Sequence, residues 1–157
     1  MAHSQRLAAL LALQSALQGI SVAGGYNYTV KAASVVLDPV SLETVNSTEL
    51  PFFCFGGPEP LDRAWEAARR VKDKIKITLF ARVDAPGTDL SRKTTAFENL
   101  VADIEKAIGA NIHLGGVALD TRMGQPDAPA MGLGQTNIVI LQAPIDIWLQ
   151  QRVYGAP

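Results

Sequence analysis

The chain carries one cysteine, Cys54, in 157 residues. A disulfide within one chain is therefore excluded, and a reducing compartment is the simpler reading. There are two histidines, His3 and His113. With a single cysteine they make a poor metal set, and no HExxH, CxxC or HxxxH spacing occurs. No metal and no cofactor is expected. An excess of one charge is also missing, since the formal net charge is −1. Electrostatic capture of nucleic acid needs a clear basic excess, so no sequence-specific nucleic-acid partner is expected. Aromatics make up 6% of the residues and form no stacking array for single strands. No apolar run approaches the roughly 18 residues of a membrane span, so no membrane partner is expected. The opening "MAHSQRLAALLALQSALQGISVAGG" has an early Arg6, an apolar run and small residues near Ala23. The run Leu7 to Leu13 is short, and Gln14 and Gln18 interrupt the residues after it, so an amphipathic helix is expected rather than a secretory signal.

What is present is an ordinary globular balance, 48% hydrophobic and 18% charged. The length suits one domain over 1–157 with a real core. Ser4 can cap a first helix, with Leu10, Leu13, Leu17 and Ile20 at helical spacing and Gly24-Gly25 ending the segment. "YNYTVKAASVVL" alternates at Tyr26, Tyr28 and Val30 and predicts a strand, broken by Asp38-Pro39. "VSLETVNSTEL" reads as a polar connection. Pro51 leads into "FFCF", a short apolar strand stopped by Gly56-Gly57-Pro58, with Cys54 as a buried core residue. "EPLDRAWEAARRVKD" is ambiguous: it holds helix formers, yet fits a loop with one helical turn. The clearest signal is "KIKITLFARV". Ile75, Ile77, Leu79, Ala81 and Val83 alternate with Lys74, Lys76, Thr78, Phe80 and Arg82, which predicts a long strand with one buried face. The opposite face is basic with an aromatic in it, either solvated or in contact with another subunit.

After Asp84, Pro86 and Gly87, Thr88 or Asp89 can cap a second helix with the stripe Phe97, Leu100, Val101, Ile104 and Ile108, ended by Gly109. "NIHLGGVALDTRMG" predicts a further strand with a register change at Gly115-Gly116. A Gly/Pro-rich loop comes next, then a last strand in which Val139, Leu141, Ala143, Ile145, Ile147 and Leu149 share a face. Pro144 lies on its other face and favours an edge or a bulge. Together these elements predict an α+β domain, a mainly antiparallel sheet of about five strands with two helices packed on one face.

Tests for catalysis find little. No GxxxxGK[ST] occurs, "GLGQTN" runs into a strand rather than a helix, and no GxSxG elbow is present. His113 has no recognisable partner for general-base work, and the scattered aspartates have no testable convergence. No catalytic residues are assigned, and an enzyme built from scattered loops stays a minor alternative. His113 and Arg122 then read as surface or subunit-contact residues.

The element order resembles the tail terminator (tail-tube terminator, minor tail protein U-like) family of long-tailed bacteriophages. The resemblance rests on the N-terminal amphipathic helix, "LPFFCFGG", "KIKITLFARV", the helix "TAFENLVADIEKAIG", and a final strand leading into "IDIWLQQRVYGAP". The segment "EPLDRAWEAARR" is longer than the family pattern. The resemblance implies a non-enzymatic virion protein, assembled in the bacterial cytoplasm into a homohexameric ring on the head-proximal end of the tail tube. Such a ring stops tube polymerisation and docks neck or head-completion proteins, and genome DNA would pass through it. Its partners would be itself, the tail tube protein and a neck protein. Arg82, Trp148 and Tyr154 become candidate contact residues beside His113 and Arg122, because aromatics and arginine are enriched at interface centres. Each is otherwise an ordinary surface or core residue. Another neck or head–tail connector protein is the nearest alternative, and a small α+β enzyme or ligand-binding domain a more distant one.

Overall fold

A computed structural model describes residues 4–67, 70–129 and 136–152. Within them the chain forms helix α1 (Gln5–Gln18) and strand β1 (Val35–Val36). The long strands β2 (Phe52–Ala67) and β3 (Arg70–Asp84) come next, then helix α2 (Leu90–Ala110), β4 (Asp120–Met123) and β5 (Ile138–Arg152). The strands make one sheet in the order β1-β2-β3-β5-β4. Only β1–β2 is parallel; the other pairs are antiparallel. The fold class is α+β, as the alternation and helix patterns predict.

The alternation of "KIKITLFARV" does what period two requires. Ile75, Ile77, Leu79, Ala81 and Val83 are buried, and opposite them on β5 so are Val139, Leu141, Ala143, Ile145, Ile147 and Leu149. Ala9, Leu13 and Leu17 of α1 join the same cluster, as do Phe97, Leu100, Val101, Ile104 and Ile108 of α2. Ser4 caps α1, its hydroxyl accepting from the Leu7 N–H. The glutamines of α1 tie the helix to its surroundings. Gln5 donates to the carbonyls of Val117 and Gln150, Gln14 to Val35 and Gln18 to Ala32.

Four expectations are corrected. The strand predicted from Tyr26 reduces to Val35–Val36. The amides of Asn27 and Tyr28 donate instead to the carboxylate of Asp103 on α2, at 2.8 and 2.9 Å. A side chain, not a neighbouring strand, satisfies that backbone. Second, β2 does not stop at Gly56-Gly57-Pro58. Register shifts between Gly56 and Glu59, and between Pro60 and Asp62, carry it past both prolines. Gly57 supplies the positive φ of 96° at the first of them. The prolines are tolerated because β1 pairs only with Phe53 and Cys54, so the strand beyond is an edge. Third, "EPLDRAWEA" is strand rather than helix or loop, because pairing with β3 outweighs its helix formers.

The fourth correction concerns residues 111–124. Leu114, Gly115 and Gly116 all take positive φ, closing a 3-10 turn, and strand begins only at Asp120. The paired glycines mark a chain reversal out of α2, not a bulge in a strand. Gly109 is followed by one more helical residue before the Asn111 C-cap. Pro144 lies inside β5, which is flanked by β3 and β4. Its carbonyl accepts from Gly124, one residue past the end of β4. An antiparallel residue aims its N–H and C=O the same way, so the missing donor faces the point where the β4 ladder has ended.

The sheet's second face is covered over part of its length. Residues 36–50 fold over it, including the stretch 40–50 that reads from sequence as a polar connection. Leu42, Phe52 and Cys54 form a small second cluster there, with Val36, Val45, Leu50, Phe80 and Ile140 against it. Cys54 is buried, and burial pushes its thiol up. Burial, with the nearby Asp103 charge, likewise raises the Tyr28 hydroxyl. In the unfolded chain both groups lose their protons at lower pH than in the folded one. Stability is therefore full at neutral pH and falls as pH rises past the ordinary thiol and phenol values of 9.0 and 10.0. Urea midpoints at pH 7 and 10 check this; an unchanged midpoint is the contrary result. Native Cys54 is expected to resist iodoacetamide and to react fully once the chain is denatured.

Candidate interaction surface

The open part of the second sheet face lies at the other end of the long strands. Cross-strand register sets Trp148 of β5 between Lys74 of β3 and Asp120 of β4, and sets Arg122 opposite Asp146. All of these belong to the face opposite the main core, because they are the even-numbered residues of their strands. The Lys74 ammonium stands 4.7 Å from the Trp148 ring centroid, and the Arg122 guanidinium carbon 5.5 Å. Two cations flank one indole, an arrangement that orients the ring and the guanidinium together. Lys74 pairs with Asp146 at 2.9 Å, and Arg122 Nε with Asp120 Oδ2 at 2.7 Å. Asp120 Oδ1 accepts from the Thr121 amide. Leu119, Asp120, Arg122, Trp148 and Lys72 line a shallow groove of about 360 Å³.

Arg122 is 72% exposed, and its terminal nitrogens bond to nothing among the described residues. Of the five residues singled out from sequence, the structure brings together Arg122 and Trp148. His113 lies close by in sequence but within the turn. It is exposed, and its Nδ1 stands 2.8 Å from the Leu119 carbonyl. A carbonyl only accepts, so Nδ1 carries the proton. His113 thereby helps fix the approach to β4.

Arg82 is elsewhere and differently placed. It is 6% exposed, and its Nη1 donates to the carbonyls of Leu42, Glu43 and Val45. The rest of the guanidinium grips Asp84 at 3.1 Å. Its contacts are spent inside its own chain, holding the 36–50 cover on the sheet. Tyr154 lies outside the described residues.

Sequence reading missed the buried polar residues that face inward. Asp103 was hidden within an apolar stripe, though its place three residues after Leu100 puts it beside the stripe. Thr121 is also buried, on the core-facing side of β4, and its hydroxyl has no hydrogen-bond partner among the described residues. A buried hydroxyl without a partner costs about 1–2 kcal/mol against an apolar group of the same shape. Thr121→Val is therefore expected to stabilise the fold by about 1 kcal/mol. A denaturant titration measures this, and a lower midpoint in the valine variant would contradict it.

Among the described residues no group of His, Cys, Asp and Glu is placed to hold a metal ion, and no helix is long and apolar enough to cross a membrane. Two further clefts, each of about 350 Å³, flank the helices. One lies between α1 and the 114–116 turn, and the other lies beside Tyr28 and the start of α2. Neither gathers a nucleophile with a base. The described residues also set an indole beside a guanidinium at the edge of the sheet, its Nε paired with Asp120 and its terminal nitrogens pointing out. Compared with protein-family models and with curated proteins, the chain matches none.

Proposed function

We propose that this chain is a structural virion protein, a non-enzymatic tail terminator that closes into a ring on the head-proximal end of a phage tail tube and docks neck proteins. The observation that carries this reading is the Arg122–Trp148 groove at the β4 edge of the sheet. Arginine and tryptophan are the residues most enriched at energetically central contact positions. Support also comes from the opposite edge, where β2 has no strand partner on its outer side beyond Cys54 among the described residues. Prolines and register shifts blunt the edge over residues 56–62, but the strand past them can still pair with another chain. A ring needs two unlike surfaces that meet head to tail and close by rotation. The reading also draws on the resemblance in element order, carried by α1, the β2–β3 pair, α2 and β5.

Electron microscopy of the purified protein and of particles containing it tests the reading. Sixfold rings at the top of the tail are expected, and removal of the protein during assembly is expected to give tails of uncontrolled length. Twelvefold rings at the portal, or normal tails lacking heads, would point to a neck connector. A chain that stays monomeric, even with tail tube added, would sink the proposal.

A further inference from the structure

The groove at β4 has an apolar floor and a charged rim, where Lys72 and Arg122 stand with Asp120, the last paired to Arg122 Nε. Leu119 is a partly exposed leucine, and beside it stands the half-buried Trp148 indole, held between Lys74 and Arg122. Arg122 projects above them with its terminal nitrogens unbonded among the described residues. A side chain that fills this groove should combine a compact apolar group with a carboxylate beside it.

The same chain presents such a feature. Leu90 is 61% exposed, more than any other large apolar side chain among the described residues. Its neighbour Asp89 is 69% exposed. Asp89 is the N-cap residue of α2, yet its carboxylate caps no amide of the helix. It makes a loose 3.5 Å pair with Arg92 on the surface, which competes weakly for it. An exposed leucine beside an underused carboxylate is the complement of the groove in both polarity and charge.

The two features cannot meet within one molecule. Asp89–Leu90 begins α2, whereas the groove lies past the turn that ends it, and a helix from Leu90 to Ala110 spans about 30 Å. Complementary patches at opposite ends of one rigid helix can satisfy each other between two copies, in a head-to-tail contact. We propose that the Leu119–Arg122–Trp148 groove of one copy receives the Asp89–Leu90 corner of a second copy of this chain. Asp89 meets the Arg122 fork and Leu90 lies against Trp148 and Leu119. This deepens the ring reading by naming one contact between neighbours, and it rests on that reading.

A charge swap in the full chain tests the contact. Arg122→Glu and Asp89→Lys each act on exposed side chains, so thermal melts should remain close to the parent. Each alone is expected to raise the dissociation constant between copies at least about tenfold, measured by sedimentation or light scattering. The double variant, with the charges exchanged, is expected to recover most of that loss. Leu90→Asp should weaken assembly by a similar factor, and nothing in the exchanged pair should rescue it. Rings that form equally well from both single variants overturn this contact and leave the ring reading standing. Swap-sensitive association into open fibres or dimers supports the contact and overturns the ring. A parent chain that stays monomeric at every concentration and on tail tubes overturns both.

Discussion

Replacing Asp103 with alanine is expected to lower the stability of this chain by about 4 kcal/mol, a large loss for one polar residue. The carboxylate accepts from the Asn27 amide, the Asn27 side chain and the Tyr28 amide, at 2.8, 2.9 and 2.9 Å. Asp103 is buried. Removing it leaves two backbone donors that no strand partner takes up, and each buried orphan costs about 1–3 kcal/mol. The Tyr28 hydroxyl, which donates to the Ala96 carbonyl, would keep only part of the segment in place. For a chain of this size the loss corresponds to a fall of about 10 °C in Tm. Asp103→Asn keeps the shape and one acceptor, so it should lose less than half as much. Amide exchange at Asn27 and Tyr28 should accelerate more than exchange in β3. If Asp103→Ala melts within about 2 °C of the parent, the clamp is not holding the segment.

The second large effect is expected at Arg82. Its guanidinium reaches three carbonyls of the 42–45 turn and the Asp84 carboxylate from a position 6% exposed. Arg82→Met preserves the stem and removes the charge. It leaves three carbonyls and one carboxylate with fewer partners, at an expected cost of about 3 kcal/mol. Arg82→Lys should not rescue, because a single ammonium cannot reproduce the planar fork that spans the turn and Asp84. The variant should also loosen the cover over Phe52, Cys54 and Phe80, so iodoacetamide labelling of native Cys54 should speed up. Slow labelling in Arg82→Met together with a parent-like denaturant midpoint would show that the cover is held by its apolar contacts alone. The same experiment separates two roles for Arg82. A residue that serves only as a subunit contact would change assembly and leave Cys54 protected.

These expectations differ from what the sequence alone suggests for the same residues. Arg82 alternates with buried positions in "KIKITLFARV", and period two puts it on the open face, where a neighbour could reach it. What the alternation cannot reveal is that residues 36–50 return to cover that face. The cover owes little to periodicity: it consists of short 3-10 turns, whose few buried side chains, Leu42 above all, are too sparse to form a pattern. Arg122 and Trp148 were legible singly, as residue types that favour contacts. Their closeness was not, because it depends on a register between β4 and β5 that spans a Gly/Pro-rich loop. The knob at Asp89–Leu90 carried no signal at all. In sequence, Asp89 was simply a helix cap, and Leu90 an apolar residue outside the stripe.

The sequence by itself determined the elements whose cause is local or periodic. Ser4 caps a helix, the α2 stripe buries one face, and the alternation in β3 and β5 splits two long strands into a core face and an outer one. Each arises from the repeat of the helix or the pleat, and no distant residue need be consulted. Tertiary structure decided the rest. It turned "EPLDRAWEA" into strand because residues 70–76 of β3 lay alongside to pair with it. It kept Tyr26–Tyr28 out of the sheet because a carboxylate on α2 supplied the acceptor that a strand would have supplied. It made Gly115-Gly116 a reversal because the chain had to turn back from the end of α2 to reach the β5 edge. At Asn27 and Tyr28 the backbone's hydrogen bonds went to a partner far away in sequence, and the location of such a partner is the one thing a local pattern does not contain.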